Sequence, residues 1–357
     1  MFVAGIAEWI KVGRMWNLRM VLRDSRSPIN IAGFTRVFLP IIAVPLLTIG
    51  SFGQTQAPVT EEALLDSSVQ SLSTFRVKVD EVDLSFTVRD RHNHWVTNLS
   101  EGDIRVLDNG QPPKSILKFQ SQADLPLRVG LIIDTSDSVA LRLGFEEKSA
   151  ALFIQKVLNP ATDAAFVIGF SGEATLRQNF TSDAKALATA IWELPSGGST
   201  ALYDAVHYAC KKLTEHNEGQ IERRVLILLT DGDDNSSKFQ AQDAMDAATR
   251  ANVVIIALNT SALPNSSDPK YKVLKEMAEM SGGEMLQAES EKQITKAFKE
   301  IQQELRSHYL VAYKPAELNP DGSYRNIHLK VARRGLHIFY RHGYYAPAPA
   351  VVPNQEK

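Results

Sequence analysis

The chain has 357 residues, 44% of them hydrophobic and 22% charged, which at this length implies about two domains with an ordinary globular core. A formal net charge of -2 leaves no basic footprint for nucleic acid, and no sustained polyacidic or polybasic tail is present. The lone cysteine, Cys210, excludes an intramolecular disulfide and a cysteine-rich zinc site.

Residues 1–57 read as an export segment with an N-terminal extension. Val37 to Ile49 is an apolar run behind Arg36, and the small and polar stretch Gly50 to Ala57 follows it. That order describes a secretory signal, with cleavage expected near Gln54 to Ala57 and retention as an uncleaved anchor the alternative. The run is shorter than the ~20 residues of a spanning helix, and Pro40 and Pro45 interrupt it. The stretch before it is long for a signal. Met20 would start a more usual one, with Arg23, Arg26 and Arg36 supplying the charge.

Residues 58–73 are polar and poorly periodic, a linker. Residues 74–122 then alternate as half-buried strands do: Phe75 to Val79, Val82 to Val88, Trp95 to Leu99 as a continuation, Asp103 to Leu107 and Ile116 to Gln120. Asp108-Asn109-Gly110 marks a turn.

The rhythm changes in residues 125–306. Near-continuous apolar runs, Leu127 to Ile133, Ala164 to Phe170, Arg224 to Thr230 and Val253 to Leu258, alternate with helical periods at Val139 to Leu158, Asp183 to Leu194, Ala201 to Leu213, Gln240 to Ala251, Tyr271 to Ser281 and Glu291 to Arg306. Ala174 to Phe180 reads as an antiparallel excursion and Glu284 to Gln287 as a short strand. The pattern predicts an α/β fold, a doubly wound, mainly parallel sheet covered on both faces. Strand patterns return in residues 307–346. They are too few to stand alone, so they are expected to pair with 74–122 as a flanking β-domain. The Pro-rich residues 347–357 are expected to be disordered.

Three separated pieces carry oxygen ligands: Asp134-Thr-Ser136-Asp137-Ser138, Thr200, and Asp231-Gly232. Asp134 and Asp231 end apolar strands, and ligands of an open parallel sheet gather at the strands' carboxyl ends. Thr200 follows Gly197-Gly198, where the backbone can bend close to a ligand. Two carboxylates and three hydroxyls suit a hard cation, Mg²⁺ or else Mn²⁺ or Ca²⁺. Taken singly the pieces are ordinary, a serine-capped helix start, a threonine N-cap and a turn; in this order, each at a strand end or helix start, they read as a metal site. Asp137 and Asp233 are accessory candidates.

These loops, with Gly197 to Ala205 (GGSTALYDA), resemble a von Willebrand factor type A domain over residues 127–306. The resemblance implies a metal-ion-dependent adhesion site (MIDAS) with Ser136, Ser138 and Thr200 as direct ligands and Asp134 and Asp231 acting through water. The flanks are similar to the exported bacterial "VWFA-related Acidobacterial domain" proteins, through Leu125 to Gly130 and the Gly343 to Pro347 ending. Asp137 departs from the pattern, standing where such loops often carry glycine; its side chain is expected to point to solvent.

Other motifs fail. Asp231-x-Asp233-x-Asn235 opens like a calcium loop but has Ser236 and Gln242 where Gly and Glu are required. His92-Asn93-His94 reads as a turn. Gly197 to Thr200 lacks the lysine of a phosphate loop, and no nucleophile elbow occurs. Cys210 reads as a small buried helix residue, with His207 its one nameable base. His308, His328, His337 and His342 read as sheet residues, and Tyr340, Tyr344 and Tyr345 as β-domain core and edge. The expectation is an exported binding or adhesion protein, not an enzyme, acting in the periplasm, cell envelope or extracellular space. Its partner is a protein or envelope ligand that can supply a carboxylate to the metal. Alternatives are a structural envelope protein with a stabilising metal and, behind it, a metal-assisted hydrolase.

Overall fold

The computed structural model describes residues 81–121, 125–215, 221–261 and 265–348. The export segment, the linker, the strand expected at Phe75 to Val79 and most of the Pro-rich tail lie outside these. In chain order the strands are β1 (Val82–Asp90), β2 (Ile104–Asp108), β3 (Ser115–Ser121), β4 (Leu127–Asp134), β5 (Ala164–Phe170), β6 (Ala174–Thr181), β7 (Arg223–Thr230), β8 (Val253–Asn259), β9 (Met285–Gln287), β10 (His308–Lys314), β11 (Tyr324–Val331), β12 (Leu336–Tyr340) and β13 (Gly343–Tyr345). The helices are α1 (Ala140–Val157), α2 (Ala184–Trp192), α3 (Leu202–Glu215), α4 (Ala241–Ala251), α5 (Pro269–Ser281) and α6 (Glu291–Glu304).

Six strands form the central sheet in the order β6-β5-β4-β7-β8-β9, all parallel except the edge strand β6. Side chains alternate between the faces of a strand, so each apolar run feeds two cores. Leu127, Val129, Leu131 and Ile133 of β4 join Ile154, Ile191, Phe298 and others from α1, α2 and α6. Ile132 of β4 instead joins Phe166, Leu226 and Leu228, under Val206, Ala248 and Leu274 of α3, α4 and α5. All eight residues of β4 are buried, which is why its sequence shows no polar alternation. The doubly wound α/β expectation holds.

The flanking strands form two antiparallel sheets, β12-β1-β10-β3 and β13-β11-β2. Strands before and after the α/β domain therefore pair with each other, as β1 with β10 and β12, and β2 with β11. Leu84, Phe86, Tyr309, Val311, Ile104, Ile327 and Tyr344 fill the space between the sheets. Asp108 of β2, itself buried, accepts hydrogen bonds from the phenols of Tyr313 in β10 and Tyr344 in β13, each at 2.9 Å. One carboxylate thus joins both sheets, and both phenols are pushed well above the ordinary tyrosine range, chiefly by burial.

One expectation needs correcting. Trp95 to Leu99 do not continue as a strand; among the described residues only an isolated bridge from Arg89 to Trp95 survives. The Asp90 carboxylate gathers the N–H groups of His92 and His94 into a tight turn. Tyr309 then takes the place of a partner strand: its hydroxyl accepts from Leu99 N and donates to Val96 O, both at 3.0 Å. Gly343 to Tyr345 form β13 against β11, with Tyr344 in the β-domain core as expected.

Removing the Asp108 carboxylate strands two buried phenols, each costing roughly 1–3 kcal/mol. Asp108→Ala is therefore expected to lower the unfolding free energy by about 2–5 kcal/mol, measured by urea denaturation. Tyr344→Phe, which removes one donor and leaves no orphan phenol, should cost less.

Candidate functional site

The carboxyl end of β4 sets the position of everything around it. The parallel register pairs Ile133 with Leu229 of β7 and Asp134 with Phe170 of β5. Asp134 and Thr230 therefore emerge side by side at the strand ends. Thr230 Oγ1 donates to Asp134 Oδ2 at 2.7 Å, and Ser136 N donates to Asp134 Oδ1 at 3.0 Å. Asp134 is fully buried, so both oxygens are directed by the protein. The same threonine oxygen accepts from Gly232 N at 3.0 Å, which fixes the loop carrying Asp231.

The second loop is held by the first. Thr135 O accepts from Gly197 N at 2.7 Å, and Gly198 O accepts from Asp137 N at 3.1 Å. Gly197 and Gly198 stand at φ +116° and +100°, a conformation open to glycine and strained for other residues. This double bend delivers Thr200, which is 2% exposed. The third loop closes the ring: Thr200 N donates to Asn235 Oδ1, and Asn235 N returns a bond to Thr200 O, both at 2.9 Å.

The three loops that carry Asp134, Ser136, Ser138, Thr200 and Asp231 are thus hydrogen-bonded to one another. Ser136 Oγ lies 3.2 Å from Ser138 Oγ. Burial raises the Asp134 pKa above the ordinary carboxylate range, and the charge of Asp231 raises it further against the pull of its hydrogen bonds. Asp137 is exposed, with its Oδ1 beside Gly197 of the second loop. Asp233 donates its N–H to Asp231 Oδ1 at 3.2 Å, and its half-exposed carboxylate lies 3.6 Å from Lys270 Nζ. His207 stacks on Phe239 with ring centroids 4.0 Å apart. Burial pushes the Cys210 thiol up to about 12, which keeps it protonated.

Several contributors were missed in the sequence. Asp234 Oδ1 accepts from Leu202 N at 2.8 Å and from Ser237 Oγ at 2.5 Å, so it caps α3 from another loop. Asp204, one turn into α3, answers by accepting from Lys238 N and Phe239 N. The run Asp233-Asp-Asn-Ser-Ser was a visible signal of capping residues, but the capped helix lies about thirty positions upstream, beyond any local pattern.

Arg142 and Glu146 were also missed. Arg142, on the first turn of α1, donates from Nη2 to Ser138 O at 3.3 Å, and the same nitrogen is 3.8 Å from Asp231 Oδ2. Its Nε is 4.0 Å from Oε1 of Glu146 one turn further on. Glu146 is fully buried behind the site. Desolvation raises its pKa to about 8; the Thr260 hydroxyl and then Arg142 pull it down, while Asp134 and Asp231 add to the rise.

A von Willebrand factor type A domain family model matches residues 129–302. Among solved structures, the fold is similar to a von Willebrand factor type A protein from Catenulispora acidiphila, at 13% identity over 78% of this chain and 76% of that one, TM-score 0.42. It is also similar to an aerotolerance-related membrane protein from Bacteroides fragilis, at 16% identity over 50% and 98% of the two chains, TM-score 0.41. A third is proximal thread matrix protein 1 from the mussel byssus, solved with a zinc-occupied MIDAS motif, at 16% identity over 53% and 47%, TM-score 0.43. No curated protein sequence matches the chain.

Two outcomes are expected from this geometry. Asp234→Ala removes a helix cap and should cost about 1–2 kcal/mol in urea unfolding. For Glu146, a folded pKa above the unfolded value of 4.5 means the folded state holds the extra proton. The stability this provides is complete below about 4.5 and is lost as pH rises through about 8. In EDTA, wild-type stability should therefore fall across that window relative to Glu146→Gln, by at most about 1.4 kcal/mol per pH unit. Parallel pH profiles for the two proteins would contradict it.

Proposed function

Residues 129–302 form a von Willebrand factor type A domain, and on that premise we propose that this protein captures a protein ligand through a divalent cation. The residues that would hold the cation are Ser136, Ser138 and Thr200 through their hydroxyls and Asp134 and Asp231 through their carboxylates. The observation that carries the reading is the mutual closure of the three loops. Each is hydrogen-bonded to another at one sheet end, which supports the five hard oxygen donors they carry acting as one set.

The electrostatics fit a cation. A buried carboxylate raised by desolvation and by a second carboxylate is relieved by a positive charge between them. When bound, a divalent cation supplies an electrophilic centre that a partner's carboxylate can complete. Mg²⁺ is proposed first, with Mn²⁺ or Ca²⁺ sharing the same donor preference. The chain's own part is to hold the donors in place and keep the neutral hydroxyls foremost, so that the ion's charge is not quenched.

One further observation supports binding over catalysis. Ser136 Oγ lies 3.2 Å from the Ser138 hydroxyl, and among the described residues no imidazole is hydrogen-bonded to it, which suits holding an ion better than nucleophilic attack. No helix among the described residues is long and apolar enough to cross a membrane. Export to the periplasm, envelope or exterior is part of the proposal and rests on the apolar run Val37 to Ile49.

Isothermal titration tests the reading. The wild type should take up Mg²⁺ or Mn²⁺, and Ser136→Ala/Ser138→Ala should weaken uptake by at least about tenfold. A pull-down from the cell's own envelope should retain a partner in Mg²⁺ and release it in EDTA. A wild type that binds neither ion would end the proposal, and a partner held equally in EDTA would leave the metal a structural role.

A further inference from the structure

Arg142 is poorly placed for every role except one. It lies on the first turn of α1, where the helix dipole disfavours a cation. Its side chain is only 16% exposed, and its Nε is buried with no hydrogen-bond partner. Its guanidinium stands between two carboxylates, 3.8 Å from Asp231 Oδ2 and 4.0 Å from Glu146 Oε1, and hydrogen-bonds to neither. Its hydrogen bond goes to the carbonyl of Ser138, within the first ligand loop. Besides Glu146 four residues on in the same helix, the Asp231 charge accounts for this placement.

We propose that Arg142 is a tethered counter-cation for Asp231, competing with the divalent ion and thereby setting how tightly the site holds it. This rests on the metal-site reading above and adds to it a residue outside the ligand set. A guanidinium this close to Asp231 balances the carboxylate when no ion is present and repels an arriving one. At separations of about 5–6 Å and an effective dielectric constant of about 20–40, repulsion between a divalent and a univalent charge is large enough to change affinity by roughly tenfold or more. The Ser138 carbonyl keeps the guanidinium in place, and Glu146, one turn down the same helix, lies 4.0 Å from its Nε. The site is thus built to bind its cation less tightly than its five donors alone would.

The test is titration of Mg²⁺ and Mn²⁺ into the full chain as wild type, Arg142→Gln, Arg142→Met and Arg142→Lys. Melting curves in EDTA confirm that each is folded. Arg142→Met keeps the apolar stem in case the glutamine variant folds poorly. Both neutral variants should bind either ion at least about tenfold more tightly, and Arg142→Lys, which keeps the charge, should stay near wild type. Unchanged or weaker binding by the neutral variants, with the wild type still binding, overturns this proposal and leaves the metal site intact. Uptake by the neutral variants alone would support a competing Arg142 but end the metal-capture reading of the wild type. No uptake by any variant would overturn both.

Discussion

The hydrogen bond from Thr230 to Asp134 is where the site depends on the sheet. It exists because β4 and β7 are parallel neighbours in a register that ends them level with one another. A slip of one residue would turn Asp134 to the opposite face, and with it every apolar residue of β4. Burial of Leu131 and Ile133 on one face and Ile132 on the other therefore fixes the position of a carboxylate. Core packing and site geometry are the same constraint seen at two points along one strand.

From that fixed point, backbone hydrogen bonds extend the order outward. Thr230 holds Gly232, Thr135 holds Gly197, and Thr200 and Asn235 hold each other. Each bond satisfies a backbone group that a surface loop would otherwise leave to water. Asp234 adds a cap to α3 and ties the third loop to the helix that follows the second. The flanking sheets use the same device on a larger scale. Asp108 joins two sheets through two phenols, and Arg89 forms a two-pronged pair with Glu284 while stacking 4.0 Å above Trp95. Glu284 lies just before β9 of the α/β domain, so this pair joins that domain to β1.

Much of this was legible in the sequence where the signal is local. Continuous apolar runs separated by helical periods showed the parallel sheet, and the three loops stood out because Asp134 and Asp231 directly follow such runs. Legibility ended where a residue's role is set by a distant segment. The backbone of Val96 and Leu99 is satisfied by the hydroxyl of Tyr309, more than two hundred positions away, so the alternating pattern there did not become a strand. Asp234 and Asn235 looked like an incomplete calcium loop because the groups they hold, Leu202 and Thr200, lie outside it. Arg142 and Glu146 read as ordinary charges of a helix face. Only the fold shows that they stand behind Asp231.

The central claim is that five oxygens from three loops form one cation site. Electron paramagnetic resonance of Mn²⁺ titrated into the full chain tests it most directly, comparing wild type with Asp231→Ala and Thr200→Ala. The account predicts a bound-Mn²⁺ signal in the wild type that is strongly weakened in both variants, although the two residues come from different loops. Equal Mn²⁺ uptake by all three proteins would contradict it.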